Sequence, residues 1–311
     1  MSGIAFTNSP AESDPAPTTR TVTTSQSRGR RAGRASRRRP GGIIVGLIAI
    51  ALSVVVFLVP FAFIFVTAGK TQGEASRLEF TWPTQLAFVE NFFTVIQTGD
   101  FVLLRAFLNS TILTVASVSI MVVLAAMVGY VLQRRTSRWN PVVNSLVLAG
   151  LIIPPAVVPT IWVLQGTGTY RTLAGLIAVH VAFGLSFCIL LFRAFVATIP
   201  RELDEAAVLD GAGPLRLFFT VVFPLLRSVI VTVIVVQAVT VFNDFTYALY
   251  FLPGNDNATV QLTLYNFQSQ GLNQWNLLFM DVLLITIPPL IMYIFFNRQI
   301  VSGMTSGAIK G

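Results

Sequence analysis

Six apolar runs, each long enough to cross a membrane, constrain what this chain can fold into. They lie near residues 43–66, 107–131, 142–164, 174–197, 228–251 and 278–297. An α-helix needs about 20 apolar residues to cross about 30 Å of hydrocarbon. Charged residues make up only 11% of the chain, whereas soluble domains average about 25%. The sequence therefore predicts an all-α polytopic membrane protein with six transmembrane helices.

The third run contains three prolines, Pro154, Pro155 and Pro159. Proline removes a backbone donor and clashes with the preceding turn, so it interrupts a helix. Such a break is tolerated inside a bundle whose neighbouring helices satisfy the freed carbonyl groups. We therefore expect the third span to be broken.

The basic residues predict the orientation of the spans. With the N-terminus inside, cytoplasmic segments carry seventeen Lys and Arg residues and outer segments carry four. Without the first forty residues the balance is still nine against four. Since Lys and Arg are retained in the cytoplasm, both termini and the connection at 198–226 are expected to be cytoplasmic.

Residues 1–40 form a separate segment that carries most of the net charge of +8. This segment holds eight arginines and two acids and is rich in Ser, Thr, Pro and Ala. Its scarcity of apolar residues predicts a disordered tail. Its arginines abut the first span, where they would contact anionic lipids and anchor the topology. No aromatic residues interleave them, so the pattern does not favour nucleic-acid binding.

Residues that could carry out catalysis are scarce. The chain has one cysteine, Cys188, and one histidine, His180, both within apolar runs. They permit neither an internal disulfide nor a His-based metal site. Gly69-Lys70-Thr71 ends like a phosphate-binding loop, but position 64 is Ile where that loop needs Gly. We therefore predict no catalytic residues, no metal site and no enzymatic activity in this chain.

A charged, small-residue segment between the fourth and fifth runs predicts a short helix of about ten residues. Pro200 suits the first helical position, and Gly211 supplies a stop. The acids Glu202, Asp204 and Glu205 lie in the first turns, where the helix dipole favours anions. The helix would present one narrow face to a partner, formed by Leu203, Ala206, Ala207 and Asp210.

The following residues predict a second short helix that holds the first one rigid. Pro214 can begin it and Pro224 can end it. Its apolar stripe comprises Leu217, Phe218, Val221 and Val222. We expect this stripe to pack against the chain's own cytoplasmic helix ends.

This cytoplasmic segment resembles the EAA loop of ABC importer permeases. The similar residues are Glu205-Ala206-Ala207, Asp210-Gly211-Ala212, Phe218 and Pro224-Leu225. Further motifs narrow the resemblance to the carbohydrate-uptake, MalG-like branch over residues 43–311. They are Asn109-Ser110, Tyr130, Asn243-Asp244-Phe245, Pro288-Pro289 and the tail from Gly303 to Gly311.

The resemblance implies a MetI-like ABC importer permease fold over residues 41–311, with a cytoplasmic coupling helix that docks on an ATPase. The implied coupling residues are Glu202, Glu205, Ala206, Ala207, Asp210, Gly211 and Pro224. The implied partners are a second, MalF-like permease, a cytoplasmic ATPase dimer that binds ATP and Mg, and an extracytoplasmic sugar-binding protein. The implied function is import of a di- or oligosaccharide across the bacterial cytoplasmic membrane by alternating access.

Two alternative functions remain open. The EAA loop is shared by importers of other solutes, such as polyamines or glycerol phosphate. A non-transport membrane scaffold or an intramembrane enzyme belongs to a different class. The enzyme is disfavoured because no His, Cys or paired acidic constellation lines the apolar runs.

Polar residues within the fifth run are candidates for the substrate pathway. Gln237 lies near mid-membrane, and Asn243 and Asp244 lie nearer the outer side. A polar group in hydrocarbon is expensive unless it faces a cavity or a partner, and sugars need such hydrogen-bonding groups. The same residues could instead link helices to one another. Asp281, in the sixth run, is expected to be an interface residue.

Overall fold

A computed structural model describes residues 40–254, 257–269 and 272–306, and the side chains within 46–254, 257–267 and 273–296. The predicted disordered tail lies outside the described residues, apart from Pro40. Backbone contacts divide the chain into two units, one up to Leu52 and one from Ser53 onward. The second unit contains every site considered below.

The described chain is almost entirely helical. In chain order the α-helices are α1 Pro40–Ala68, α2 Gln72–Ala75, α3 Phe88–Arg134, α4 Asn140–Ile152, α5 Val157–Gly166, α6 Leu173–Val196, α7 Glu202–Leu209, α8 Pro214–Leu217, α9 Phe223–Leu225, α10 Arg227–Phe242, α11 Thr246–Phe251 and α12 Trp275–Ser306. A π-helical turn occupies Phe218–Val222, and a 3₁₀-helix occupies Val260–Phe267. The two-residue strands β1 Gln268–Ser269 and β2 Leu272–Asn273 pair antiparallel before α12.

Within the described residues, four helices are long and apolar enough to cross a membrane. They are Gly46–Ala68, Phe88–Arg134, Leu173–Val196 and Trp275–Phe296. Two bent helix pairs also qualify, and counting each as one span gives the expected total of six. The pair α4 and α5 bends by 117° between Ile152 and Val157, where Pro154 and Pro155 lie. The expected proline break is therefore present.

The long helix α3 is interrupted near its N-terminal end. Thr98 is extended, and Gly99, Asp100 and Phe101 have φ values of 60°, 55° and 60°. This left-handed turn divides a short N-terminal segment from the spanning segment at 102–134. The two parts differ in direction, so only the second part corresponds to the predicted span.

The fifth apolar run is not the continuous helix that the sequence predicts. Helix α10 ends at Phe242, and α11 begins at Thr246. Asn243, Asp244 and Phe245 lie in the break. At 16 residues, α10 is about 24 Å long, so the polar triplet lies at a helix end rather than within a helix.

Helices α3 and α6 pack closely within a large cluster of buried apolar residues, called the main core below. Ala125 and Ala126 are fully buried, and a β-carbon on Gly129 would lie 3.0 Å from the Phe192 Cβ and from the Arg193 backbone nitrogen. Small residues allow such close approach of helix backbones within a membrane. This contact joins the C-terminal halves of α3 and α6, in the second and fourth spans.

A buried polar network ties together the C-terminal end of α1 and the N-terminal ends of α3 and α12. The Lys70 ammonium donates to the Glu79 carbonyl at 2.7 Å and to the Thr81 hydroxyl at 3.2 Å. The Asn91 amide donates to the Ala68 carbonyl at 2.8 Å and accepts from the Asn276 amide at 2.8 Å. The Lys70 ammonium is therefore engaged in contacts within the fold, as expected for a residue that does not belong to a phosphate-binding loop.

Candidate functional site

The short helix that the sequence predicts is present as α7, which has eight residues, Glu202–Leu209. Pro200 does not occupy the first helical position, contrary to the sequence prediction. The first turn is instead organised by the Arg201 carbonyl, which accepts from the backbone nitrogens of Asp204 and Glu205 at 3.0 and 3.1 Å. Pro200 therefore lies before the N-cap residue Arg201. The Pro200 carbonyl accepts from the Arg134 guanidinium on α3 at 3.4 Å.

The end of α7 depends on Gly211. Its nitrogen donates to the Val208 carbonyl, and the Ala212 nitrogen donates to the Ala207 carbonyl, both at 3.0 Å. These two bonds define a Schellman motif, which requires a left-handed residue just after the helix. Gly211 has φ 78°, and no heavy atom lies within 4 Å of a β-carbon built there. The prediction that Gly211 ends this helix is confirmed by its backbone conformation.

The outward face of α7 differs from the predicted face. Ala207 is only 8% exposed and packs into the main core, so it faces inward. Ala206 and Asp210 are exposed, as are the predicted coupling acids Glu202 and Glu205. Three large apolar side chains also point away from the chain: Leu203, Val208 and Leu209, the last of them 87% exposed. Sequence reasoning missed Val208 and Leu209 because it considered a single stripe.

The second part of the loop continues past Pro224 instead of ending there. The π-helical turn closes with a bond from the Phe223 nitrogen to the Phe218 carbonyl. A widened turn directly before Pro224 leaves room for its ring, which would clash in a regular α-helix. The helix then ends at Leu225, and the chain bends by 77° into α10. Pro224 therefore shapes the loop from within.

The predicted apolar stripe is buried. Leu217, Phe218 and Val222 are 7%, 3% and 1% exposed, and Val221 packs against the same core. The Phe218 ring lies 5.7 Å from the Tyr130 ring on α3. The stripe thus fixes the loop to the C-terminal end of α3, in the second span.

A buried ion pair provides another connection between the loop and α3. The Arg134 Nε lies 2.7 Å from the Asp204 Oδ2, and the two side chains are 9% and 15% exposed. The Arg134 Nη2 also donates to the Ile199 carbonyl at 2.8 Å. These residues border a cleft of about 600 Å³ between α7 and the end of α3. Sequence reasoning gave Asp204 only a helix-dipole role and counted Arg134 only in the charge balance.

The three predicted pathway residues do not share one surface. Asn243 is exposed, and its Oδ1 accepts from the Gln261 amide at 3.4 Å. Gln237 is 6% exposed, and its Oε1 would lie 3.2 Å from a β-carbon on Gly184. Gln237 is therefore buried between helices within this chain, behind the surface that Asn243 presents.

Asp244 has a role that the sequence did not indicate. Its carboxylate accepts from the backbone nitrogens of Tyr247 and Ala248 at 3.3 and 3.1 Å, which caps helix α11. Its Oδ2 also lies 3.7 Å from the His180 Nε2 on α6. The helix break therefore provides backbone donors for an acid at this depth.

An aromatic pair beside this break was also missed. The Phe245 and Tyr265 rings stack with centroids 5.6 Å apart and an interplanar angle of 27°. Tyr265 is 49% exposed and belongs to the 3₁₀-helix that also contains Gln261. Gln261 and Tyr265 lie in the loop after the fifth span, so only the tertiary structure brings them beside Asn243 and Phe245.

Asp281 is an interface residue, as expected. It is fully buried and accepts from the Thr263 hydroxyl at 2.8 Å, which joins α12 to the 3₁₀-helix. Across the part of the chain that the structure describes, no group of three or more His, Cys, Asp or Glu residues could hold a metal ion.

Comparison with known proteins identifies the family. The model of the family described as "Binding-protein-dependent transport system inner membrane component" matches residues 121–305. The melibiose/raffinose/stachyose import permease protein MelC of Bacillus subtilis is 30% identical, covering 89% of this chain and all of MelC. The probable starch degradation products transport system permease protein AmyC of Thermoanaerobacterium thermosulfurigenes is 28% identical, over 86% of this chain and 94% of AmyC.

The fold has a match among solved structures. A bacterial ABC transporter involved in the import of the acidic polysaccharide alginate contains a chain with TM-score 0.72 and 18% identity. The match covers 85% of this chain and 98% of that chain, which supports the ABC importer permease fold. The chain therefore belongs to the family of inner-membrane components of binding-protein-dependent transport systems.

Proposed function

We propose that this chain is the permease subunit of an ATP-driven importer for di- or oligosaccharides. The observation that carries the proposal is the set of relatives that match over most of the chain. MelC is named for melibiose, raffinose and stachyose, AmyC for starch degradation products, and NgcG of Streptomyces coelicolor for diacetylchitobiose. Import would proceed by alternating access about a site between repeated or paired halves.

Transport in this proposal requires partner proteins. They are a second, MalF-like permease, two copies of a cytoplasmic ATPase that binds ATP and Mg, and an extracytoplasmic sugar-binding protein. A solved alginate transporter of the same fold forms a complex with a periplasmic protein that holds an alginate pentasaccharide. This chain would contribute the pathway and the coupling helix, and the ATPase would carry out hydrolysis.

Helix α7 would dock on the ATPase through its exposed face. Leu203, Val208 and Leu209 expose 41%, 58% and 87% of their surfaces on a short helix that also carries the acids Glu202, Asp204 and Glu205. Clustered exposed apolar side chains rimmed by polar residues are typical of a protein interface. Glu202, Glu205, Ala206 and Asp210 would complete this face, whereas Ala207, Gly211 and Pro224 would maintain its shape from within.

The docking proposal requires α7 to lie in the cytoplasm, with both termini on that side. The distribution of basic residues supports this orientation, because they concentrate in alternate connections between the spans. The inner membrane location follows the family description.

The substrate pathway would pass the break in the fifth span. Asn243 is exposed there and its amide can bind sugar hydroxyl groups, and the exposed Tyr265 ring offers an apolar face to a pyranose. Asp244 would hold the break in shape through its cap on α11. Gln237 would support this surface from behind.

Reconstitution of the full complex tests the proposed substrate class. Proteoliposomes containing both permeases, the ATPase and the binding protein would be given labelled raffinose, maltotetraose, spermidine or glycerol 3-phosphate. We expect ATP-dependent uptake of at least one of the two sugars and of neither non-sugar. Uptake of spermidine or glycerol 3-phosphate alone would replace the sugar assignment with the corresponding solute class.

A further inference from the structure

We propose that Arg134 is a positioning residue that transmits movement of α7 to helix α3 through its ion pair with Asp204. The inference rests on the proposed docking of α7 on an ATPase. It assigns a mechanical role to a contact within the permease, in the cleft that Glu205, Val208 and Leu209 also border.

Arg134 connects the last turn of α3 to both sides of the start of α7. Its Nε contacts the Asp204 carboxylate at 2.7 Å, and its Nη2 donates to the Ile199 carbonyl at 2.8 Å and to the Pro200 carbonyl at 3.4 Å. A guanidinium has five donors in a planar fork, so it can hold a carboxylate and backbone carbonyls together. The chain that enters α7 and its first turn are therefore attached to the same side chain.

A second contact keeps this attachment rigid. Tyr130 lies one helical turn before Arg134, and its ring is 5.7 Å from the ring of Phe218. Phe218 belongs to the buried stripe behind α7 and is 3% exposed. Helix α3 thus contacts both parts of the loop, and the loop cannot rotate about a single contact.

Contacts of α3 extend the connection to two further helices. Its Gly129 lies against the backbone of α6, where an added β-carbon would be 3.0 Å from the Arg193 nitrogen. The Arg193 guanidinium donates to the Gln133 Oε1 on α3 at 3.2 Å and to the Asn144 Oδ1 on α4 at 2.6 Å. A displacement of Asp204 would therefore reach α3, α4 and α6 as a rigid-body movement.

The burial of the pair indicates what its loss would do. A buried ion pair contributes little net stability, but the removal of one partner leaves an uncompensated charge. Neutralising either residue would loosen α7 from α3 while leaving every side chain of the docking face in place. The loop would then absorb part of the ATPase movement. Arg135, the next residue along the chain, is exposed and forms no ion pair in the described part of the chain, which makes it a matched control.

The test uses the full complex reconstituted in proteoliposomes, with Arg134→Gln, Asp204→Asn, their double variant and the control Arg135→Gln. Three quantities would be measured: the ATPase that co-purifies, ATP hydrolysis and solute uptake per ATP hydrolysed. Both single variants should retain the ATPase and its hydrolysis but lower uptake per ATP by about fivefold or more, the usual lower range of coupling between sites. The double variant should be no worse than the poorer single variant, since both residues act through one contact.

A covalent replacement distinguishes a mechanical role from a role in folding. Arg134→Cys and Asp204→Cys would be combined in a Cys188→Ala background and bridged with a short bis-methanethiosulfonate reagent. Uptake per ATP should rise when the bridge forms and fall again when a reductant cleaves it. A residue needed only for folding would give no such reversible change.

Three results would overturn the proposal. They are normal uptake per ATP in both single variants, complete bridging without recovery, or loss of the inserted permease in every Arg134 and Asp204 variant. Failure of the docking proposal gives a different result. If the docking proposal is wrong, altering the α7 face will leave ATPase co-purification unchanged. The ion-pair variants instead test movement in complexes that have already assembled.

Discussion

Gly211 and Asp244 show how single residues maintain the two candidate sites. Gly211 provides the φ of 78° that the Schellman motif at the end of α7 requires. Asp244 provides a carboxylate for two backbone N–H groups at the start of α11. In both cases the residue is explained by what it does for the backbone of this chain, without any contact to a ligand.

Gly211→Asp should leave the spans inserted but weaken ATPase association and abolish uptake. A β-carbon in a left-handed conformation costs about 1 kcal/mol or more, and a negative charge at a helix C-terminus opposes the dipole. Gly211→Asn carries a similar side chain without the charge and should lose less, and Ala212→Ser should be mild. The measurement is co-purification of the ATPase with sugar-stimulated hydrolysis. If Gly211→Asp retains both, α7 is not the docking element.

Asp244→Ala should lower the amount of assembled permease, whereas Asp244→Asn should preserve it. Asparagine keeps an acceptor oxygen for the cap, and loss of a cap costs about 1 kcal/mol. Asn243→Ala should instead lower sugar flux at an unchanged amount of complex, because Asn243 is exposed and only its backbone takes part in the end of α10. Quantitative blotting with uptake per complex separates the two effects. A normal flux in Asn243→Ala would remove this residue from the pathway.

At the scale of elements, breaks between helices are as important as the helices. The α4–α5 bend of 117° contains Pro154 and Pro155, so the sequence alone predicts it. The break between α10 and α11 contains none, since it consists of Asn243, Asp244 and Phe245. The run at 228–251 contains no proline or glycine, so its sequence did not reveal where helical hydrogen bonding stops. The cap by Asp244 is a local contact, whereas the packing of Phe245 on Tyr265 occurs only in the assembled fold.

Gly129→Ala should destabilise the packing of α3 on α6. The new methyl group would lie 3.0 Å from the Phe192 Cβ and the Arg193 nitrogen, closer than a normal contact. Overpacking of this kind costs about 1–3 kcal/mol. Gly166→Ala is the matched control, because its β-carbon would meet no atom within 4 Å. The midpoint of thermal unfolding in detergent should fall for Gly129→Ala only, and equal midpoints would contradict the close contact.

At the scale of the whole chain, the function depends on which loops face the cytoplasm. Helix α7 can reach an ATPase only if the connection between the fourth and fifth spans is cytoplasmic. The segment between α2 and α3, which contains Trp82, would then lie outside. Both residues used to test this, Trp82 and Leu209, are strongly exposed, at 81% and 87%.

Cysteine labelling should therefore modify Trp82→Cys and spare Leu209→Cys in intact spheroplasts. Each substitution would be made in a Cys188→Ala background and treated with a membrane-impermeant thiol reagent. Permeabilisation should make Leu209→Cys reactive, which shows that the site is accessible in itself. Labelling of Leu209→Cys without permeabilisation would reverse the orientation and exclude docking on a cytoplasmic ATPase.

The sequence by itself determined the class of protein, the approximate spans and the position of the short helix α7. These depend on local quantities: the length of an apolar run, the position of prolines and the residue after a short helix. The tertiary structure decided which side chains work together. Arg134 and Asp204 are seventy residues apart, and they become an ion pair because the fold brings the end of α3 against the start of α7. The inward position of Ala207 and the burial of Gln237 were decided in the same way, because burial depends on neighbouring helices that local patterns do not specify.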